Sequence, residues 1–263
     1  MAKKERIVVK VGTSSLVHEN GRVNLQTIER LAFALSALNN EGHEVMLVSS
    51  GAIGVGLAKL GLKERPKEIA KQQALAAIGQ LQLMTDYMDR FSDYGTQVAQ
   101  LLLTHDVFDY PVNQKNVMNT ISELFSDNVV PIVNENDTVS DTEMDHVTTF
   151  GDNDQLSALV ATHINADRLI VLSDIDGLYD KNPHHHPDAK LLPNVPELTP
   201  DIIKSATGSD SRFGTGGMVT KLKAADMMIQ AGKQMVLCNG RDPRIILKIF
   251  NGEHVGTVFG QSK

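Results

Sequence analysis

Lys10 interrupts the apolar run Arg6 to Val11, where a buried strand favours Val or Ile. An unpaired ammonium is costly to bury, so a carboxylate or a phosphate is expected to face it. A second lysine, Lys221, closes the stretch Gly214-Thr215-Gly216-Gly217-Met218-Val219-Thr220-Lys221, a glycine loop that runs into a helical segment. Helix N-termini offer unpaired N–H groups and partial positive charge, which suits phosphate. The spacing is not that of a Walker loop, and alone it reads equally well as a surface turn before an amphipathic helix. Gly151-Asp152-Asn153-Asp154 sets acidic and amide side chains at the start of another helix. Capping accounts for one such residue. Three of them, after a second polar cluster at Asn134-Glu135-Asn136-Asp137, exceed what a cap needs. Gly51, Gly54 and Gly56 follow the pattern Gly-x-x-Gly-x-Gly, the wrong spacing for a dinucleotide fingerprint, so NAD is not expected.

These residues need a scaffold that gathers them. Short β-branched runs alternate with segments of helical period, which predicts an α/β protein with an open, mainly parallel sheet and helices on both faces. Strands are expected at Arg6 to Val11, Glu44 to Ser49, Thr96 to Leu103, Val129 to Val133, Arg168 to Leu172 and Gln234 to Cys238. Helical stripes are expected through Leu25, Ile28, Leu31, Ala32, Leu35 and Leu38 behind an Asn24 cap, and through Leu81, Met84, Met88 and Phe91. A third runs through Met218, Leu222, Ala225 and Ile229. Asp137 to Phe150 reads as a hairpin. Residues 179 to 200, with His184, His185 and His186, read as a surface excursion rather than a metal site, because adjacent side chains diverge. In open parallel sheets ligands bind beyond the carboxyl ends of the strands. Four expected strands end in polar or glycine-rich turns: Gly12-Thr13-Ser14, Ser50-Gly51, Asn134 to Asp137, and Ser173-Asp174.

The 263 residues are 41% hydrophobic and 22% charged, which suits one globular domain over 1–263. The formal charge of −7 argues against nucleic acid or an anionic membrane as the main partner. With Cys238 the only cysteine there is no internal disulfide, and no apolar run approaches a membrane span or a signal peptide, so a cytoplasmic location is expected.

Together, Val9-Lys10-Val11-Gly12-Thr13-Ser14, Ser49-Ser50-Gly51-Ala52-Ile53, Asn134 to Asp137, Gly151 to Asp154 and Gly214 to Lys221 resemble the amino acid kinase family, in its order and approximate spacing over nearly the whole chain. The resemblance implies the amino acid kinase fold and, within the family, ATP-dependent phosphorylation of the γ-carboxylate of L-glutamate to L-glutamyl 5-phosphate, the first step of proline synthesis. It implies that Ser50, Gly51, Asn134, Asp137 and Asn153 bind glutamate. Gly12, Thr13, Ser14, Ser173, Asp174, Thr215, Gly216, Gly217, Met218, Val219 and Thr220 fall to the nucleotide side. Lys10 and Lys221 are expected to bracket the transferring phosphoryl group, with Asp154 holding both. Mg²⁺ is expected through the ATP phosphates rather than a protein cage. Proline as feedback inhibitor through the segment Asn134 to Phe150, handover to a glutamyl phosphate reductase and a homo-oligomer are further implications. Ala206 to Gly217 is the candidate lid. Many relatives continue into a C-terminal PUA domain, which is not expected here. The alternatives are a sibling kinase acting on aspartate, carbamate, acetylglutamate or uridylate, and a non-catalytic amino-acid or nucleotide sensor.

Overall fold

A computed structural model describes residues 4–18, 21–140, 153–183, 185–207 and 217–261. The strands are β1 (Arg6–Val11), β2 (Glu44–Val48), β3 (Val98–Leu103), β4 (Val130–Glu135), β5 (Arg168–Ser173), β6 (Asn194–Val195), β7 (Gln234–Asn239) and β8 (Thr257–Phe259). They form one sheet in the order β3-β4-β2-β1-β5-β7-β8-β6. Every pairing is parallel except β7 with β8. The helices are α1 (Thr13–Leu16), α2 (Leu25–Asn40), α3 (Ala52–Lys59), α4 (Ile69–Ser92), α5 (Pro111–Ser126), α6 (Asp154–His163), α7 (Pro200–Thr207), α8 (Gly217–Gln230) and α9 (Ile245–Phe250). The expected α/β/α architecture is what the chain adopts. Six strands lie where the apolar runs predicted them, within about two residues. β6 and β8 are two and three residues long, too short to carry a periodic signal.

The central strands are mainly apolar because both faces are covered, with Lys10 of β1 a buried exception. Alternation divides them. Ile7, Val9 and Val11 of β1 join Leu31 and Leu35 of α2, Leu83 and Phe91 of α4 and Ile246 of α9 in one core layer. Val8 faces the other way, into the layer built by Leu156 and Val160 of α6 and Leu222 and Met228 of α8. Lys10 is two residues on from Val8, so it shares the face covered by α6 and α8. That single parity brings it to its partners.

Asn24 caps α2 as expected, its side chain accepting from the Thr27 N–H at 3.2 Å. Ile28, Leu31, Ala32, Leu35 and Leu38 are buried, whereas Leu25 is exposed. The stripe on α4 is corrected: Leu81 is 73% and Met88 54% exposed, while Leu75, Ala76, Gly79, Gln80, Leu83, Tyr87 and Phe91 face inward. The reason is the crossing with α3. A Cβ on Gly79 would lie 1.8 Å from the Ala52 carbonyl oxygen, and one on Gly56 2.0 Å from that of Leu75, so backbone meets backbone there. A count of apolar residues misses a face made of glycine, alanine and glutamine.

The expected hairpin from Asp137 is described only as far as Ser140, where it forms a turn; residues 141–150 lie outside the described residues. The excursion after β5 folds back through an antiparallel bridge between Tyr179 and Leu191. His185 and His186 are exposed on it.

Candidate active site

The chain leaves β1 toward β2 on one side and later places β5 on the other side of β1, so the strand order reverses there. A crevice outside the carboxyl ends of such strands is the natural ligand site of an open parallel sheet. A cavity of about 470 Å³ occupies it. Lys10, Gly12, Thr13, Ser14, Ser50, Gly51, Asn134, Asp137, Asn153, Ser173, Asp174 and Lys221 all line this space. Gly51 caps α3 with φ +92, a left-handed conformation that glycine adopts without strain, and it turns the chain from β2 into the helix.

Beneath the cavity sits a fork of buried charge. Asp154 opens α6 and is fully buried. One oxygen, Oδ1, lies 2.6 Å from Lys10 Nζ. The other, Oδ2, accepts from Lys221 Nζ at 3.0 Å and from the Thr220 hydroxyl at 2.9 Å. Lys221 also donates to the Gly217 carbonyl at 3.1 Å. Burial alone would raise the Asp154 pKa, but the Lys10 and Lys221 ammoniums outweigh it and hold the carboxyl below its ordinary range. Lys10 is 2% and Lys221 8% exposed, so two nearly buried ammoniums converge on one buried carboxylate at the floor of the cavity. Ammoniums held there are placed to meet an anionic group entering the cavity.

The far wall is polar and acidic. Asn153 Nδ2 donates to Ser50 Oγ at 3.0 Å and to Asn134 Oδ1 at 2.8 Å, joining the ends of β2, β4 and α6. Glu135 and Asp137 line the same cavity, with Arg65 opposite them. Burial, and then Asp137 beside it, push the Glu135 carboxyl up to about 7. Burial also raises Asp137, partly offset by Arg65. Two part-buried carboxylates on one wall are suited to an ammonium group.

A second cavity of about 330 Å³ adjoins the first and shares Ser173, Asp174 and Lys221 with it. Ile175, Leu178, Tyr179, Pro183, Ala206 and Met218 give it a more apolar wall, suited to a flat ring system. Lys221 therefore stands at the junction of a polar, charged chamber and a more apolar one.

Gly217 and Met218 line the second cavity, while Val219 and Thr220 line neither. Val219 is buried, and Thr220 acts on Asp154 instead. Thr215, Gly216 and the loop stretch 208–216 lie outside the described residues. The sequence reading missed Glu135, Arg65 and the second cavity's apolar wall. Glu135 and Ile175 to Tyr179 stand next to polar strand ends that were recognised, and that adjacency is a usable signal. Arg65 sits in the α3–α4 connection with no local pattern to mark it.

The sequence profile described as the amino acid kinase family matches residues 5–239. Among curated proteins, the glutamate 5-kinase of Ligilactobacillus salivarius is 59% identical over 97% of this chain and 96% of its own length. That of Enterococcus faecalis is 52% identical over 98% and 96%. Solved structures with the same fold include the isopentenyl phosphate kinase of T. acidophilum, with TM-score 0.64, 19% identity and coverage of 97% and 99%. The carbamate kinase of Giardia lamblia bound to AMP-PNP has TM-score 0.65 and 19% identity over the whole of both chains. The chain belongs to the amino acid kinase family.

Proposed function

We propose that the protein transfers the γ-phosphoryl group of ATP to the γ-carboxylate of L-glutamate, giving ADP and L-glutamyl 5-phosphate. The observation that carries this reading is the buried Lys10–Asp154–Lys221 fork, two ammoniums on one carboxylate, at the junction of two chambers. The glutamate 5-kinase relatives, identical at more than half of the matched positions, support the choice of acceptor. A γ-carboxylate with a reference pKa of about 4.3 is already ionised at neutral pH, so it needs no general base. The carboxylate oxygen attacks the γ-phosphorus in line, the bond to the β–γ bridging oxygen breaks, and ADP leaves with the electron pair. The polar chamber takes glutamate, with Glu135 and Asp137 receiving its ammonium group and Ser50, Gly51, Asn134 and Asn153 ordering the rest. Gly12, Thr13 and Ser14 close around the phosphates, and Ser173, Asp174 and the start of α8 hold the nucleotide.

Magnesium fits this donor set through the nucleotide. Among the described residues no group of three His, Cys, Asp or Glu converges, and both Asp154 oxygens are committed to lysine. Bound with ATP, it neutralises phosphate charge. Proline carries an α-carboxylate and a cationic ring nitrogen where glutamate has its α-ammonium, which supports competition at the acidic wall. Exposed Ile78, Leu81 and Met88 on α4 support a homo-oligomer. An acyl phosphate hydrolyses readily, which favours direct handover to a reductase. No helix among the described residues is long and apolar enough to cross a membrane, and a cytoplasmic location suits the substrates.

The test is ADP release with L-glutamate, Mg²⁺ and hydroxylamine. Formation of the hydroxamate, suppressed by proline, is expected. A strong preference for aspartate or carbamate would overturn the acceptor, and MgATP binding without ADP formation would favour a sensor.

The acidic wall also sets a pH dependence. The folded-state pKa of Glu135 is raised, so the carboxylate that receives the ammonium is lost as pH falls through about 7. The KM for glutamate is expected to climb by about tenfold per unit between pH 6.5 and 5.5, one proton being displaced on binding. Glu135→Gln should raise KM at pH 8 and flatten that slope. A wild-type KM that stays constant over this range would remove Glu135 from ammonium binding.

A further inference from the structure

Behind the acceptor chamber, two buried polar side chains of α4 reach Asn134, which lines it, and Ser49, the residue before Ser50 of its wall. Gln80, 8% exposed, accepts through Oε1 from Asn134 Nδ2 at 2.8 Å. Asn134 Oδ1 in turn accepts from the Glu135 N–H at 2.9 Å and from Asn153 Nδ2 at 2.8 Å. The Asn134 amide is thus held from both ends, a donor on its oxygen and an acceptor on its nitrogen. That orientation commits Asn153 Nδ2 to its acceptors, among them Ser50 Oγ at 3.0 Å. Seven residues along α4, the hydroxyl of fully buried Tyr87 lies 2.9 Å from Ser49 Oγ, at the root of the Ser50-Gly51 turn. Neither Gln80 nor Tyr87 lines the cavity. The register of α4 is fixed one residue before Gln80, where Gly79 packs on the carbonyl of Ala52, the first residue of α3. A helix locked to the wall of the site at that point has little freedom to move its two polar side chains relative to it.

We propose that Gln80 and Tyr87 are positioning residues for the acceptor substrate, Gln80 setting the orientation of the Asn134–Asn153 amide pair and Tyr87 that of the Ser49-Ser50 turn. The claim rests on the acceptor reading above. Removing the Gln80 acceptor leaves the Asn134 N–H buried without a partner. Turning the amide over offers no relief, because its nitrogen would then face the Asn153 nitrogen and the Glu135 N–H, so the Asn134–Asn153 pair must shift to satisfy it. The nucleotide chamber shares none of these groups, so the effect should fall on one substrate only.

The experiment compares steady-state kinetics of wild type, Gln80→Met, Gln80→Glu and Tyr87→Phe for glutamate and for MgATP. Gln80→Met should raise the KM for glutamate by about tenfold or more while the KM for MgATP stays within about twofold. Gln80→Glu keeps an acceptor and should recover most of that loss. Tyr87→Phe, which keeps the ring, should raise the same KM by about threefold to tenfold. A purely structural role would move both substrates together with the melting temperature, and Gln80→Glu would be no better than Gln80→Met; that pattern overturns the proposal. Wild-type turnover on glutamate is measured alongside. Its absence overturns the acceptor assignment and this claim with it, whereas normal turnover with an unchanged KM in Gln80→Met and Tyr87→Phe overturns this claim alone.

Discussion

Asp154→Asn is expected to lower the melting temperature by about 10 °C and turnover by at least a factor of about 100. The substitution keeps the volume of a fully buried side chain and removes the negative charge that the Lys10 and Lys221 ammoniums share. Removing one partner of a buried ion pair costs about 3 to 5 kcal/mol, and in a domain of this size each kcal/mol shifts the midpoint by about 2 to 4 °C. Turnover falls for a different reason. Asp154 opens α6 while Lys10 lies near the end of β1 and Lys221 lies in α8, so the carboxylate is the point at which three elements agree on where the ammoniums stand. Displacement by about 1 Å from a reacting geometry costs roughly a hundredfold. The two effects separate on adding nucleotide, because phosphates replace the missing negative charge. MgATP should therefore raise the melting temperature of Asp154→Asn by more than it raises that of wild type. A variant that melts like wild type and turns over normally would show that the fork organises nothing.

Lys10 and Asp154 could be found in the sequence because each violates a local rule: an ammonium inside an apolar strand, and more polar groups at a helix start than capping requires. That they meet follows from strand parity plus the cover of α6 and α8, and parity is legible once Arg6 to Val11 is read as a strand. Gln80 and Tyr87 violated nothing. A glutamine on an amphipathic helix reads as surface, and its burial depends on α4 crossing α3 backbone to backbone at Gly56 and Gly79, a tertiary fact. The same crossing turned Leu81 and Met88 outward against expectation. The apolar wall of the second cavity escaped for a related reason: Tyr179 is brought there by the bridge to Leu191, made by a chain excursion whose proline-rich composition signals only irregularity. Polar strand ends were legible because an open parallel sheet gathers them at one edge whatever the intervening loops do.

Lys10→Met and Lys221→Met should each reduce kcat by about two to three powers of ten and leave the KM for glutamate within about threefold. The barrier they address is repulsion between the incoming carboxylate and the γ-phosphoryl group, about 4 kcal/mol for two unit charges some 4 Å apart at an effective dielectric near 20. Each power of ten in rate corresponds to about 1.4 kcal/mol, so the repulsion alone is worth about three. Glutamate affinity should hold, because in this reading the ammonium and the backbone of the substrate are held by Glu135, Asp137 and the Ser50 to Asn153 group on the other wall. Asp137→Asn should give the opposite pattern, a raised KM with turnover largely kept at saturation. Stability supplies a further discrimination. Removing either lysine leaves Asp154 paired with the other across 2.6 Å or 3.0 Å. Methionine fills nearly the same volume without a charge to desolvate. The lysine variants should therefore melt closer to wild type than Asp154→Asn does, because each keeps one ion pair at Asp154 whereas the asparagine keeps neither, even as turnover collapses in all three. Wild-type turnover in both lysine variants would exclude them from the transfer step.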